Sequence, residues 1–434
     1  VVGRTFAFVG TCVLVLGLTG LATTGLLGAG AALVLAFGLL ALAALGSEKL
    51  GGIFIQGGML FAPIFSKNVT LGSITISDVL FFGAFTLLLP KLLSKKIVMP
   101  FGYWAGLGVL FFLSVLASIT HPEAMQSLYR VLRLYLALLF LPTFIAWWRP
   151  DRRLINRMAG LYVVGQTISM MYGLALGEGS RLFGLTTHPN AFGICGVISV
   201  GMLFYLDGQV RPLRRPIVWG AALINIAGLS MSGSRAAVVA VAVMVVAIPI
   251  IERSGAWFYA LGLAGAGGLL LITEFASSLG SNSALNRLLD NTGSASGSDL
   301  QRSQLAATGW DAVVHNPFLG TGYFTQAFFA HDIYLQLAAA VGVFGLLAFV
   351  VVVLTILKPL ILAGPMHRIA LGALGYFVDE AFNPTLWDRF AWAAMALIIL
   401  AHPIFETSPE EEAAEAELSP PSTVLTATPV LSRT

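Results

Sequence analysis

One long polar stretch, residues 274–331, interrupts a chain that is otherwise almost continuous apolar sequence, and it closes on His331-Asp332 at the start of another apolar run. Hydrocarbon tolerates few polar groups without partners, so a chain patterned this way gathers its polar chemistry at one face of a membrane. Of the 434 residues, 57% are hydrophobic and only 10% are charged, which excludes a soluble globular domain of ordinary composition. The expectation is an all-α polytopic membrane protein. Further along the run that follows His331-Asp332 stands Gly342-Val343-Phe344-Gly345, and the two pieces together are the most specific signal in the chain.

Apolar runs long enough to cross hydrocarbon as helices fall at 5–22, 26–45, 74–89, 101–119, 128–147, 154–176, 189–206, 216–231, 236–251, 257–272, 333–357 and 386–401. Two shorter runs, 53–65 and 369–377, raise the count from about twelve to about fourteen. The first run lacks a small-residue cleavage site and is followed at once by another, so it reads as a span and not as a cleaved signal. Residues 1–405 are expected to form one membrane domain that includes the loop 274–331. Residues 406–434, rich in Pro, Ser, Thr and Glu, are expected to be a disordered tail. Cys12 and Cys195 lie far apart in expected spans and read as small apolar helix residues.

Basic residues orient the chain. If Arg4 is cytoplasmic, the spans alternate and both short runs cross, then Lys49, Lys91, Lys95, Lys96, Arg149, Arg152, Arg153, Arg157, Arg211, Arg214, Arg215, Arg253, Lys358 and Arg368 all lie inside. The cations left for the outer face are Lys67, Arg130, Arg133, Arg181, Arg235, Arg287, Arg302 and Arg389. Lys satisfies the topology rule as well as Arg does. An outer set made almost wholly of Arg therefore points to forked gripping of phosphate or carboxylate. Arg287 and Arg389 also suit simple interfacial snorkelling, and the shared face of Arg130 and Arg133 suits either snorkelling or binding of lipid phosphate.

Within the loop, 277–298 is rich in Ser, Gly and Asn and is expected to be mobile. Residues 299–314 have helical character, with Asp299 as an expected N-cap and Leu300, Leu305, Ala306, Trp310, Val313 and Val314 on one apolar stripe suited to a membrane surface. The turn-rich Asn316-Pro317-Phe318-Leu319-Gly320-Thr321-Gly322-Tyr323 is able to bring backbone close to a ligand.

Three features share one design. Arg181 precedes His188-Pro189-Asn190, where Pro189 suits a first helical turn. Ser232-Gly233-Ser234-Arg235 joins two spans tightly, and His331-Asp332 begins a third. Helix N-termini carry unpaired N–H groups and partial positive charge, so with Arg added they form anion sites suited to phosphate or diphosphate. That partial charge disfavours protonation of His331, whereas Asp332 pulls the other way. Asp78 reads as a capping residue, and Asp379-Glu380 as outward-facing carboxylates on a short loop, solvated or able to assist as acid or base.

Arg181-Leu182-Phe183-Gly184 with Pro189-Asn190, Ser232-Gly233-Ser234-Arg235, a large loop holding Arg302, Trp310 and Asn316-Pro317-Phe318-Leu319-Gly320-Thr321-Gly322, and then His331 with Gly342 and Gly345, resemble the O-antigen ligase and polymerase superfamily. The resemblance covers residues 181–345. It implies a membrane glycosyltransferase that moves a glycan from a polyprenyl-diphosphate carrier to a glycan or glycolipid acceptor at the outer leaflet of a bacterial inner membrane, without cofactor, metal or nucleic acid. It also implies Arg181 and Arg235 as diphosphate-binding residues, Arg302 as a further loop cation and His331 as the catalytic base or acceptor-orienting group, with Asp332 beside it as a second catalytic candidate. Asp332 stands where the family commonly has Asn, Ser or Gln. Trp310, Tyr323, Phe324 and Phe328 are candidate sugar-stacking surfaces. The rival is a transporter or flippase of lipid-linked glycans or small anions, for which discontinuous helices, internal repeats and midplane charges are expected; no convincing repeat relates the two halves.

Overall fold

A computed structural model describes residues 41, 44–65, 74–176, 181–263, 265–266, 283–289, 293–325, 330–362, 364–383 and 386–405. The run at 5–22 with Cys12, most of 26–45, the second half of 257–272, Lys67, Phe328 and the tail 406–434 lie outside the described residues. All regular elements among the described residues are helical. They are α1 (Ser47–Phe61), α2 (Ile76–Leu92), α3 (Phe101–Ile119), α4 (Ala124–Trp148), α5 (Arg152–Ala175), α6 (Pro189–Asp207), α7 (Arg215–Met231), α8 (Arg235–Ile251), α9 (Ala284–Leu289), α10 (Gly293–His315), α11 (Ile333–Leu357), α12 (Leu371–Asp379) and α13 (Arg389–Ile398).

Among the described residues, four helices are long and apolar enough to cross a membrane, namely Phe101–Ile119, Ala124–Trp148, Pro189–Asp207 and Ile333–Leu362, and Arg235–Ile251 and Arg389–Ala401 are shorter apolar helices. With its composition, this makes the chain a helical membrane protein. The short runs 53–65 and 369–377 fall largely in α1 and α12, but at 15 and 9 residues neither helix reaches the roughly twenty needed for a straight crossing. Helix starts follow local capping chemistry. Thr75 and Asp78 form a reciprocal capping box at α2, as expected of Asp78, and Asp78 also pairs with Arg389 at 2.9 Å. Arg389 is therefore an ion-pair partner and not a loose interfacial cation.

The scaffold of the site is α6. It is buried along nearly its whole length from Ala191 to Leu206, with Cys195 inside, and it packs against α5, α7, α8 and α12. A helix apolar on every side belongs at the centre of a bundle. Near its start it must also accept polar neighbours, and there the chain places its charged loops.

Helix α11 is discontinuous. Gly342 has φ 73 and ψ −179, a conformation open in practice only to glycine, and a Cβ there would lie 2.2 Å from the Phe318 carbonyl oxygen. The loop Asn316–Gly322 repairs the interrupted ladder. Thr321 N donates to Ala339 O at 2.7 Å, Gly322 N to Ala340 O at 2.9 Å, and Val343 N to Pro317 O at 2.8 Å. The turn segment thus brings its backbone close to a broken helix. Phe318 stacks on Phe344 beside the break, with ring centroids 5.9 Å apart. A gap filled by the protein's own loop differs from the open, ion-coordinating breaks of transporters.

Replacing Gly342 by Ala is expected to cost about 2–4 kcal/mol, from left-handed strain plus the clash with Phe318. Denaturant unfolding of the detergent-solubilised protein measures it, and wild-type stability in the variant would show that the loop moves aside freely.

Candidate active site

A cavity of about 210 Å³ lies where the N-termini of α6, α8 and α11 converge, and it is lined by Arg181, Arg235, Arg287 and Arg302, by His188 and His331, and by Asn190, Gln301, Asn383 and the Gly233–Ala236 turn. Each start is built locally. His188 caps α6, its Nδ1 accepting from Asn190 N at 3.1 Å, with Pro189 at the first helical position. Ser232 and Gly233 make the tight turn into α8, and Ser232 Oγ accepts from Ser234 N at 3.2 Å. Asp332 caps α11, accepting from Tyr334 N at 2.8 Å and Leu335 N at 3.3 Å.

Arg181 ties two of these starts together. Its Nε donates to Ser232 O at 2.8 Å and its Nη2 to Asn190 Oδ1 at 2.9 Å. Asn190 in turn donates to Asn383 Oδ1 at 2.8 Å, and Asn383 to Asp379 Oδ2 at 2.7 Å, so the chain of amides ends on a fully buried carboxylate. Gly184 allows this loop to sit close: at φ +53 it is so near α5 that a Cβ would lie 2.2 Å from Ser169 O. Asp379 and Glu380 are both buried, contrary to the expectation of solvated loop carboxylates. They sit under the site, and Glu380 O receives the N–H of Ile333 at the foot of α11.

The arginines repel one another. Burial, and then the charges of Arg287, Arg302 and Arg235, push Arg181 down to about 10. Arg287 and Arg302 are also held below the usual range, first by burial and then by Arg235. Arg235 makes a bidentate ion pair with Asp299, whose carboxyl is held below its ordinary value chiefly by that hydrogen bond. Two buried polar atoms at the cavity, Arg287 Nε and His331 Nδ1, have no hydrogen-bond partner. A partly buried cluster of cations with open donors is costly unless an anion completes it.

His331 sits one residue before the α11 cap, in the left-handed region at φ 55. Such backbone costs a non-glycine residue about 1–3 kcal/mol and recurs where side-chain placement matters. Burial, then the charge of Arg302, hold its imidazole below the ordinary histidine range, so it is neutral near pH 7. The expected upward pull of Asp332 is not what governs it: the Asp332 carboxylate is occupied with the helix N-terminus, and Asp332 does not line the cavity.

Arg181, Arg235, Arg302 and His331 are therefore brought together, and Trp310 and Tyr323 are not. Trp310 lies outside the cavity and is 61% exposed. Tyr323 is fully buried, its hydroxyl 2.8 Å from Ser114 Oγ and its N–H donating to Ser127 Oγ at 2.9 Å, which leaves no face for a sugar. Asp299 is not an N-cap, because α10 begins at Gly293, more than one and a half turns earlier. Of 277–298, the stretch expected to be mobile, 284–289 and 293–298 are helical, in α9 and the start of α10, and 277–282 and 290–292 lie outside the described residues. Arg287, read from sequence as a snorkelling residue, is a buried member of the site that donates to Gly233 O at 2.6 Å. The preference for Arg over Lys already included it. Asn383 carried no such signal, because only the packing of the segment after α12 brings it to the α6 start.

Fold and cavity together define a helical membrane protein with four arginines and a histidine gathered at converging helix starts. Residues 220–350 match the family model described as O-Antigen ligase, a segment that holds Arg235, Arg287, Asp299, Arg302, His331 and Gly342. The match makes that segment similar to the O-antigen ligase family. No curated protein matches the chain.

Asp299→Asn is expected to strengthen binding of inorganic diphosphate roughly fivefold, equivalent to about 1 kcal/mol, by freeing Arg235 from its carboxylate partner. Calorimetric titration of the full chain in detergent measures it. Weakened binding would instead make Asp299 the support that aims Arg235.

Proposed function

We propose that this protein transfers a glycan from a polyprenyl-diphosphate carrier to the hydroxyl of a glycan or glycolipid acceptor at the outer leaflet of a bacterial inner membrane. In this reading the cavity opens on the extracytoplasmic side, and the polytopic domain has about twelve to fourteen spans by length and hydropathy. The observation that carries the reading is the joining of four arginines and a neutral, partnerless imidazole in one cavity at three helix N-termini.

The division of labour follows from charge. The diphosphate of the donor lies among Arg181, Arg235, Arg287 and Arg302, whose guanidiniums and the adjoining helix N–H groups neutralise it. Neutralised, a diphosphate is a competent leaving group without nucleotide or metal. The acceptor oxygen forms its bond to the anomeric carbon as the bond from that carbon to the diphosphate oxygen breaks. The hydroxyl proton passes to His331, the electron pair leaves on polyprenyl diphosphate, and in-line displacement inverts the anomeric centre. Asp332 supports this indirectly, by capping the helix that follows His331. Donor chemistry is common to ligases and polymerases, so the acceptor is what divides them.

Removing the imidazole tests the assignment. His331→Asn tolerates the left-handed backbone, and His331→Ala removes all polarity; both are expected to lower transfer by about 10²–10⁴-fold with donor affinity unchanged. Product mass and donor binding are read side by side. Normal transfer would exclude His331 as the base, and normal glycan translocation with no bond formed by wild type would favour the flippase reading.

The pH profile provides a separate check. A base whose proton affinity is depressed works while neutral, so the single-turnover rate should be level through neutrality. It should fall only as pH drops through a value below the ordinary histidine range. Arg302→Gln removes one cause of the depression and should move the acid limb upward; an unmoved limb would assign it to another group.

A further inference from the structure

A second pocket, of about 430 Å³, opens beside the first turns of α4 and is lined by Met125, Gln126, Tyr129, Arg130, Arg133 and Phe324. It shares no residue with the arginine cavity, and no carboxylate lines it. Arg130 and Arg133 stand one turn apart and project from the same side of the helix. Arg130 is held in place: its guanidinium lies 4.6 Å from the centroid of the Phe324 ring, and its Nη1 donates to Tyr323 O at 2.8 Å. Tyr323 is itself anchored to Ser114 and Ser127 in the core, so the cation rests on a rigid base. A merely snorkelling arginine needs neither a walled pocket nor a buried residue to aim it.

The surface beyond the pair names the kind of ligand. Tyr129, Leu132 and Leu136 recur on one face of α4 and are 58%, 57% and 49% exposed. In a membrane helix such a stripe faces acyl chains, and here it runs directly from the two guanidiniums. We propose that this pocket is a lipid-binding site, in which Arg130 and Arg133 grip the phosphate head group of an anionic membrane lipid whose chain lies along Tyr129, Leu132 and Leu136. A soluble anion would find the two charges but would leave the apolar wall and stripe unused. The site involves no bond-making, and it stands or falls apart from the proposed glycan transfer.

The test uses the full chain in nanodiscs of phosphatidylcholine containing a minority of phosphatidic acid, released into a mass spectrometer under native conditions. Wild type is expected to retain phosphatidic acid preferentially. Arg133→Gln leaves the Arg130–Tyr323 bond in place and should lower retention about tenfold, the scale of one charge-assisted contact. Adding Arg130→Gln should abolish it, in variants whose unfolding temperature matches wild type. Equal retention by wild type and Arg133→Gln overturns the proposal. Displacement of the lipid by millimolar inorganic phosphate also overturns it, making the pocket a soluble-anion site.

Discussion

Like charges gathered in a partly buried cavity repel, and the arrangement around Arg181, Arg235, Arg287 and Arg302 depends on how that repulsion is contained. Asp299 offsets one guanidinium directly. Backbone carbonyls hold two others, with Ser232 O taking Arg181 and Gly233 O taking Arg287. The helix starts add positive partial charge to the same space and so deepen the need for an anion. The protein's own groups thus organise the cavity, and preorganised positive charge of this kind favours developing negative charge.

Rigidity comes from below. The amide chain from Arg181 through Asn190 and Asn383 to buried Asp379 links the cavity floor to α12, and the N–H of Ile333 on Glu380 O links the same floor to α11. The α6 helix, apolar on all sides, locks these elements into one packed body. On the far side of α11, the loop that carries Tyr323 closes the break at Gly342 and at the same time aims Arg130. One short segment therefore serves both the integrity of the helix that follows His331 and the separate pocket on α4.

The family segment 220–350 contains three of the four arginines and His331, whereas Arg181, His188, Asn190 and Asn383 come from outside it. The cavity is thus a joint product of that segment and the α5–α6 and α12–α13 connections. Removing the flanking parts would leave the cavity without Arg181, which bridges two of its helix starts.

Much was legible in the chain itself. Apolar run length marked α3 and α11 at their observed ends, because a run must be long to cross hydrocarbon and because Pro100 and Asp332 stand just before those helices. Arg181 and Arg235 stood out at expected helix starts because charge is expensive beside a membrane and because Arg, unlike Lys, grips oxyanions in a fork, whereas the roles of Arg302 and His331 came from the family resemblance. Other facts are properties of distance between segments far apart in sequence. Burial of Asp379 and Glu380, recruitment of Arg287, the pairing of Arg235 with Asp299 and the use of Tyr323 as a core anchor all require knowing which helix lies against which. Local pattern reports what a residue prefers, namely a loop carboxylate in solvent or a tyrosine at an interface. Only packing decides whether a partner is near enough to change that preference, and here the partners are supplied by helices converging at their N-termini.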